Sequence, residues 1–488
     1  MYKNSRGRPG VVLAAAAVAQ FAIALDMSVV NVALPAIRTA LGFTPLGLSW
    51  VVQAYALALG GFLLLGGRAC DLYGRRRMFV LGLAVFGVCS LAGGLAQAPW
   101  QLIAARAGQG LGAAAAAPAA LAMLTTTFTE GPGRVRALGV WSGVNAAGGA
   151  LGVLAGGLLT EYAGWRWVML INLPIVAIAL ALVRTGVPAE ERPARRERLD
   201  VLGAVLATGG VGLLVFADLR TDVEGWSSPV TLTMLAAAAV LLVAFGYAES
   251  RSPAPLLRLG LLRGRWVAGA NALVFLAAAG QFAAFYFVSL YMQQVLGMGP
   301  AATGAAFLPF SAGLIAGTLV ATRVTAARTP RACLVPGALL AAAGLAWFAC
   351  ISPDGGFLTD VLGPSLMTSV GTGLVLAPVA TAATNGVAAR EAGMASGLFN
   401  SSRQLGGCIG LAALATVAAH RTGAASGPAA LNDGYALSLT VAAALFALAA
   451  VVAFVALPRR GAGAGAGTGT ARPRPTAPAE NRLEGTPS

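Results

Sequence analysis

Residues 67–79 read GRACDLYGRRRMF. One acid, Asp71, stands among four arginines (Arg68, Arg75, Arg76 and Arg77), between apolar runs at 49–67 and 78–96. The hydrocarbon core of a bilayer takes about 20 apolar residues per helix. Both runs are long enough to cross it, and the charged segment is the turn between them. Gly74 permits a sharp reversal and Gly67 a close helix approach, while Asp71 suits a cation or a helix start. Alone, the segment also reads as a plain basic anchor, since Lys and Arg collect on the cytoplasmic side of membrane proteins.

Working outward, further apolar runs lie near 11–34, 101–128, 137–159, 167–183, 201–217, 230–247, 266–290, 302–322, 333–351, 361–383, 394–419 and 435–457. With the first two they make fourteen expected spans. The first follows Lys3, Arg6 and Arg8, but it is too long for a cleaved signal and leads straight into a second span. Of the 33 Lys and Arg, 27 fall on the side shared by both termini and four (Arg38, Arg166, Arg220 and Arg421) on the other. Arg106 and Arg403 lie inside spans. That imbalance predicts cytoplasmic termini. Charged stretches at 187–200 and 248–265 divide the spans into six, two and six. The expected organisation is residues 1–186, a first six-helix bundle; 187–265, a linker with two extra spans; 266–457, a second bundle; and 458–488, a disordered Gly-, Pro- and Arg-rich tail. A shift of 255 superposes Arg68 on Arg323, Arg76 on Arg331 and Gly82 on Gly337, as parallel repeats predict.

Composition excludes other classes. Of 488 residues, 57% are hydrophobic and 10% charged, less than half the charge of ordinary soluble domains. A net charge of +15 would suit a nucleic-acid binder, but no basic domain stands apart from the apolar runs. The five Cys lie in or beside those runs without paired spacing, and His420 is alone. No disulfide framework, metal site or cofactor is expected. Lys3 is the only lysine, so there is no nucleotide-binding G-x-x-x-x-G-K-[ST] loop.

The spacing G-x-x-x-D-x-x-G-R-R in 67–76 resembles the signature loop of the major facilitator superfamily. LDMSVVNVALP (25–35), LIAARAGQGLGAA (102–114), WRWVMLINLP (165–174) and SGLFNSSRQLGGCIG (396–410) resemble segments of its fourteen-span drug:proton antiporters. The resemblance covers nearly all of 11–457. It implies an all-α membrane fold, two bundles rocking about a central cavity, and proton-driven export of hydrophobic or amphiphilic drugs from a bacterial cell membrane. Gly67, Asp71, Gly74, Arg75 and Arg76 would form a conformational latch. Span 5 departs from the pattern: GVLAGG (152–157) has Val153 where the antiporter motif has Pro. A symporter or facilitator of a small metabolite therefore stays open as the alternative. A membrane-embedded enzyme is remote, for want of paired catalytic groups.

Asp26 is the only acid read as lying well inside a span. At about 1.5 Å per residue it lies roughly 12 Å below the outer end of span 1, with Arg106 roughly 8 Å and Gln109 roughly 12 Å deep in span 4. Spans 1 and 4 adjoin in the family resembled, so these groups are expected to meet. A carboxylate in hydrocarbon is costly and favours the neutral acid, while a nearby Arg favours the charged form. Asp26 and Arg106 are the expected proton-coupling pair; a static ion pair is the plainer reading. Gln53, Tyr55, Gln109, Asn145, Gln281, Phe285, Tyr286 and Arg403 are candidate cavity residues. The expected partners are an amphiphilic small molecule, protons and lipid, with the protein acting as a monomer.

Overall fold

The computed structural model describes residues 9–44, 46–128, 132–186, 200–225, 227–252, 255, 259–327, 329–384, 387, 391–423 and 427–457. Arg390, the charged linker up to residue 199 and the expected tail lie outside them, as do Lys3, Arg6 and Arg8. The described chain is helical, without strands. In order it forms α1 (Pro9–Leu41), α2 (Trp50–Tyr73), α3 (Arg75–Gly94), α4 (Pro99–Thr127), α5 (Pro132–Tyr162), α6 (Arg166–Leu170), α7 (Asn172–Gly186), α8 (Val201–Glu224), α9 (Pro229–Arg251), α10 (Arg265–Leu290), α11 (Pro300–Ala306), α12 (Leu308–Ala327), α13 (Arg331–Phe348), α14 (Gly363–Thr384), α15 (Ala392–Thr422) and α16 (Pro428–Ala456). One π turn (Tyr291–Val295) continues α10 and another (Phe357–Leu362) leads into α14.

Among the described residues, thirteen segments are long and apolar enough to cross a membrane. The run expected near 394–419 is not among them, although α15 has 31 residues. Asn400, Ser401, Ser402, Arg403 and Gln404 in succession dilute its hydropathy. The run expected at 167–183 is one span, Arg166–Thr185, with a single-residue irregularity at Ile171. Pro174 lacks the N–H that would reach the Leu170 carbonyl, and α6 stops at Leu170 before α7 starts at Asn172. Leu81, Val88, Val240, Val243 and Val451 face outward, as apolar side chains do where the surroundings are hydrocarbon.

Helix pairing recurs along the chain. α1 packs on α5, α2 on α4 and α3 on α4; later α10 packs on α15, α12 on α14 and α13 on α14. The two α3/α4-type crossings use glycine in the same way. A Cβ on Gly112 would meet the Gly82 carbonyl and Phe86 backbone, and one on Gly371 the Gly337 carbonyl and Ala341 backbone. Each pair in α3 lies 255 residues before its counterpart in α13, the offset found in the sequence. α8 and α9 form a separate pair that leans through α8 on the seam between α2 and α15.

One buried apolar cluster joins both series of helices around Leu25–Leu57 of α1 and α2, Phe287–Met292 at the end of α10 and the π turn after it, and Leu411–Ala418 of α15. At the opposite end, where the 67–79 turn lies, the cores are separate. One contains Val12, Phe79, Phe86 and Leu124; another contains Leu273, Leu334, Val379 and Ala453. Among the described residues, four side-chain donors reach across the two series. Ser289 Oγ donates to the Asn31 carbonyl (3.2 Å) and Gln293 Nε2 to the Val32 carbonyl (3.0 Å). Ser401 Oγ donates to the Gly60 carbonyl (2.7 Å) and Cys408 Sγ to the Gln53 carbonyl (3.5 Å). The Ala301 N–H of α11 also donates to Glu161 Oε2 of α5 at 2.8 Å.

Candidate functional site: a buried charge cluster

Five helices converge on Asp26, which is fully buried. α4 presents Arg106 and Gln109 three residues apart, hence on one face. Arg106 Nη1 donates to Asp26 Oδ2 at 2.5 Å and to Gln109 Oε1 at 2.9 Å, and its Nε donates to the Val51 carbonyl of α2 at 2.9 Å. The Tyr55 ring of α2 lies 4.4 Å from the guanidinium carbon, a cation–π contact that strengthens when desolvated. Gln109 Nε2 donates to Asp26 Oδ1 (3.1 Å) and to Ser90 Oγ of α3 (2.7 Å). The break between α6 and α7 directs Asn172 inward, and its Nδ2 donates to Asp26 Oδ1 at 2.7 Å.

The depth arithmetic therefore brought the right three groups together and missed two more. Ser90 is a lone hydroxyl within an apolar run. Asn172 lies inside WRWVMLINLP; the signal available was an amide two residues before a helix-breaking proline. The two Asp26 oxygens differ. Oδ1 accepts two amide hydrogens, whereas Oδ2 accepts only from Arg106. Oδ2 is thus tied to the cluster through Arg106 alone. Tyr55 Oη and Asn172 Oδ1 are buried without a hydrogen-bond partner in this arrangement, so the cluster holds spare polar atoms beside a charge pair. Removing one member of a buried pair costs about 3–5 kcal/mol, because the other charge is left unpaired.

Asp26 is not the sole acid inside a span. Asp218 ends the apolar window of α8, where its Oδ2 accepts from Thr416 Oγ1 at 3.2 Å. The sequence boundary at 217 had left it outside.

The remaining candidates separate. Gln53 is buried on α2 with both amide atoms unpartnered, close to α15. Asn145 accepts from Gln20 at 2.6 Å, linking α5 to α1. On α10, Gln281 and Phe285 are half-buried on one face, and Phe285 stacks on Phe307 at 4.4 Å. Tyr286 is buried instead and meets Phe287 edge-on at 5.3 Å; Tyr55 and Gln109 belong to the charge cluster. Arg403 of α15 is half-buried.

In the 67–79 turn, Gly74 is the single residue between α2 and α3, with φ 93°, a region that L side chains avoid. Asp71 is exposed, and Arg75 and Arg76 are half-buried. Gly67 does not make the close approach: a Cβ there would stand 3.9 Å from Pro118. Its neighbour Gly66 does, against the Ala114 carbonyl. On α5, Gly152 and Gly156 meet the α1 backbone, whereas Gly139, Gly143 and Gly149 have open space. With Val153 in place of Pro, α5 runs unbroken from Pro132 to Tyr162.

The model of the Major Facilitator Superfamily matches residues 16–411. The chain is 43% identical over 459 residues to the cephamycin export protein CmcT of Amycolatopsis lactamdurans, covering 93% of each chain. It is 40% identical over 454 residues to the puromycin resistance protein pur8 of Streptomyces alboniger, covering 91% of this chain and 90% of that one. The inward-open xylose transporter XylE from E. coli shares the fold, with TM-score 0.61 and 14% identity over 93% of this chain and 98% of that one. The chain belongs to the Major Facilitator Superfamily and is a multi-pass membrane transporter, not an enzyme.

Proposed function

We propose that this transporter exports hydrophobic or amphiphilic small molecules in exchange for protons. The observation that carries the proposal is the buried Asp26–Arg106 pair, with its single-donor carboxylate oxygen. An ionisable pair inside a membrane bundle marks a proton or substrate path more often than a static strut. Proton arrival at Asp26 Oδ2 releases Arg106, whose Nε and ring contacts are both to α2. α2 in turn packs on α15, so the proton acts on a helix that seals one series of helices against the other. The relatives named for cephamycin export and puromycin resistance support a drug as cargo.

In this reading α15 also crosses the membrane, which makes fourteen spans, the termini are cytoplasmic, and the layout is six, two and six. The separate cores then face the cytoplasm, and the shared core closes the outer side. The 67–79 turn latches the cytoplasmic face when the cavity opens outward, through Asp71 and the neighbouring arginines about Gly74. One protomer suffices for the cycle.

Acid-loaded inverted vesicles test the exchange. Adding a cephamycin or puromycin should alkalinise the lumen as protons leave and drug enters. Asp26→Asn should abolish this response while the protein still inserts; retained proton-coupled uptake in that variant overturns the role of Asp26. The unbroken α5 around Val153 favours a second reading, symport or facilitation, which predicts lumen acidification or no response.

A further inference from the structure

We infer that the cavity takes an amphiphilic anion, with the Arg403 guanidinium as its counter-charge. This rests on the transporter reading above and adds the charge of the cargo. Not every interior charge is paired. Asp26 and Arg106 neutralise each other. Arg403 forms no ion pair or hydrogen bond with any described residue, and its Nε is shut off from solvent without a partner.

The placement of Arg403 follows from the rest of α15. Ser401, Gln404 and Cys408 turn to α2, where they meet Gly60 and the Gln53 carbonyl. Ser402, Gly406 and Gly410 turn to α10, where they meet Asn271, Phe275 and Ala279. Thr416 marks the strip facing Asp218 of α8. At 100° per residue, Arg403 falls between Gly410 and Gly407, on the edge of the α10 face and away from α8. One turn further, Gly407 lies against the Phe282 ring. The half-buried face of α10 presents Gln281 and Phe285.

A guanidinium without a counter-ion is costly inside a membrane bundle. Its planar fork matches a carboxylate, sulfonate or phosphate through two parallel hydrogen bonds, and the aromatic rings nearby suit the apolar part of such a ligand. Gln53 and Gln404 add buried amides whose side-chain atoms are all unpartnered. The anion does not compete with Asp26 for Arg106. α2 stands between them, contacting Arg106 through Val51 and Tyr55 and α15 through Gln53 and Gly60. An anion leaving as a proton enters moves two charges per cycle in the direction that an inside-negative potential drives, against one for a neutral cargo.

The test compares three dyes on the full-length protein in nanodiscs, with empty nanodiscs subtracted: anilinonaphthalene sulfonate (an anion), N-phenylnaphthylamine (its neutral relative) and ethidium (a cation). Wild type should bind the sulfonate at least tenfold more tightly than the amine. Arg403→Gln should erase that preference and Arg403→Lys should keep part of it. Equal affinity for the sulfonate and the amine, or tighter ethidium binding, in wild type overturns the inference, and this comparison requires no variant to fold. Proton-driven uptake of the same dyes is scored separately. Uptake without anion preference removes only the inference; anion-selective binding with no proton-driven uptake of any dye removes the exchange reading and leaves the anion site standing.

Discussion

Arg106 offers the sharpest test of how the buried site is held together. Replacing it with Gln removes the 2.5 Å bond to Asp26, the bond to the Val51 carbonyl and the contact with Tyr55. Asp26 keeps only the amides of Gln109 and Asn172, with a full charge and no cation. A buried pair broken from one side costs about 3–5 kcal/mol. Asp26→Asn strands Arg106 in the same way and carries a similar cost. The double variant Asp26→Asn with Arg106→Gln strands no charge, so its cost should fall well below the sum of the two. A coupling of at least about 2 kcal/mol is expected, within the 0.5–3 kcal/mol range for groups in contact. The assay is unfolding in mixed detergent–SDS micelles for wild type, both single variants and the double variant. Proton-driven drug uptake should be lost in all three variants, even where stability returns. Additivity within about 0.5 kcal/mol would refute a pair whose members depend on each other.

Two further outcomes follow from the packing. Gly152→Leu should destabilise by about 1–3 kcal/mol through overpacking, since a side chain there collides with the Leu25 backbone, whereas Gly139→Ala meets open space and should leave expression and unfolding unchanged; equal effects at both sites, read by unfolding in detergent, would discount the α1/α5 approach. Glu161→Gln should weaken its hold on the start of α11 by about 1 kcal/mol, as for a lost helix cap, and raise thiol labelling of a cysteine placed at Leu296 about fivefold; unchanged labelling would show that this contact does not restrain the closed end.

The fold was legible because hydrocarbon surroundings leave so few choices: twenty apolar residues form a helix, and arginines mark its ends. Depth was legible too, since rise per residue is fixed, and it placed Asp26, Arg106 and Gln109 at one level. Rotation about each helix was not. Gly66, not Gly67, makes the close approach, and Phe285, not Tyr286, lies on the half-open face. Each is a question of which way a neighbouring residue points, and the faces of these nearly uniform helices look alike in sequence. Asn172 stayed hidden for a related reason: its direction comes from the break that Pro174 makes in the span, which a hydropathy count passes over.

The four side-chain donors that reach across the two series share a direction. Every donor (Ser289, Gln293, Ser401 and Cys408) comes from α10, α15 or the π turn between α10 and α11, and every acceptor is a main-chain carbonyl of α1 or α2. Most helical carbonyls already serve the N–H four residues on, so such a bond is a second, shared one and is readily exchanged for water. The acceptor also demands no particular side chain, except at Gly60, where a Cβ would meet Gln404. Asn31, Val32 and Gln53 are therefore free to diversify over evolutionary time without losing these bonds, while the donor positions, and Gly60, Gly157 and Glu161 opposite the second series, tolerate far less drift.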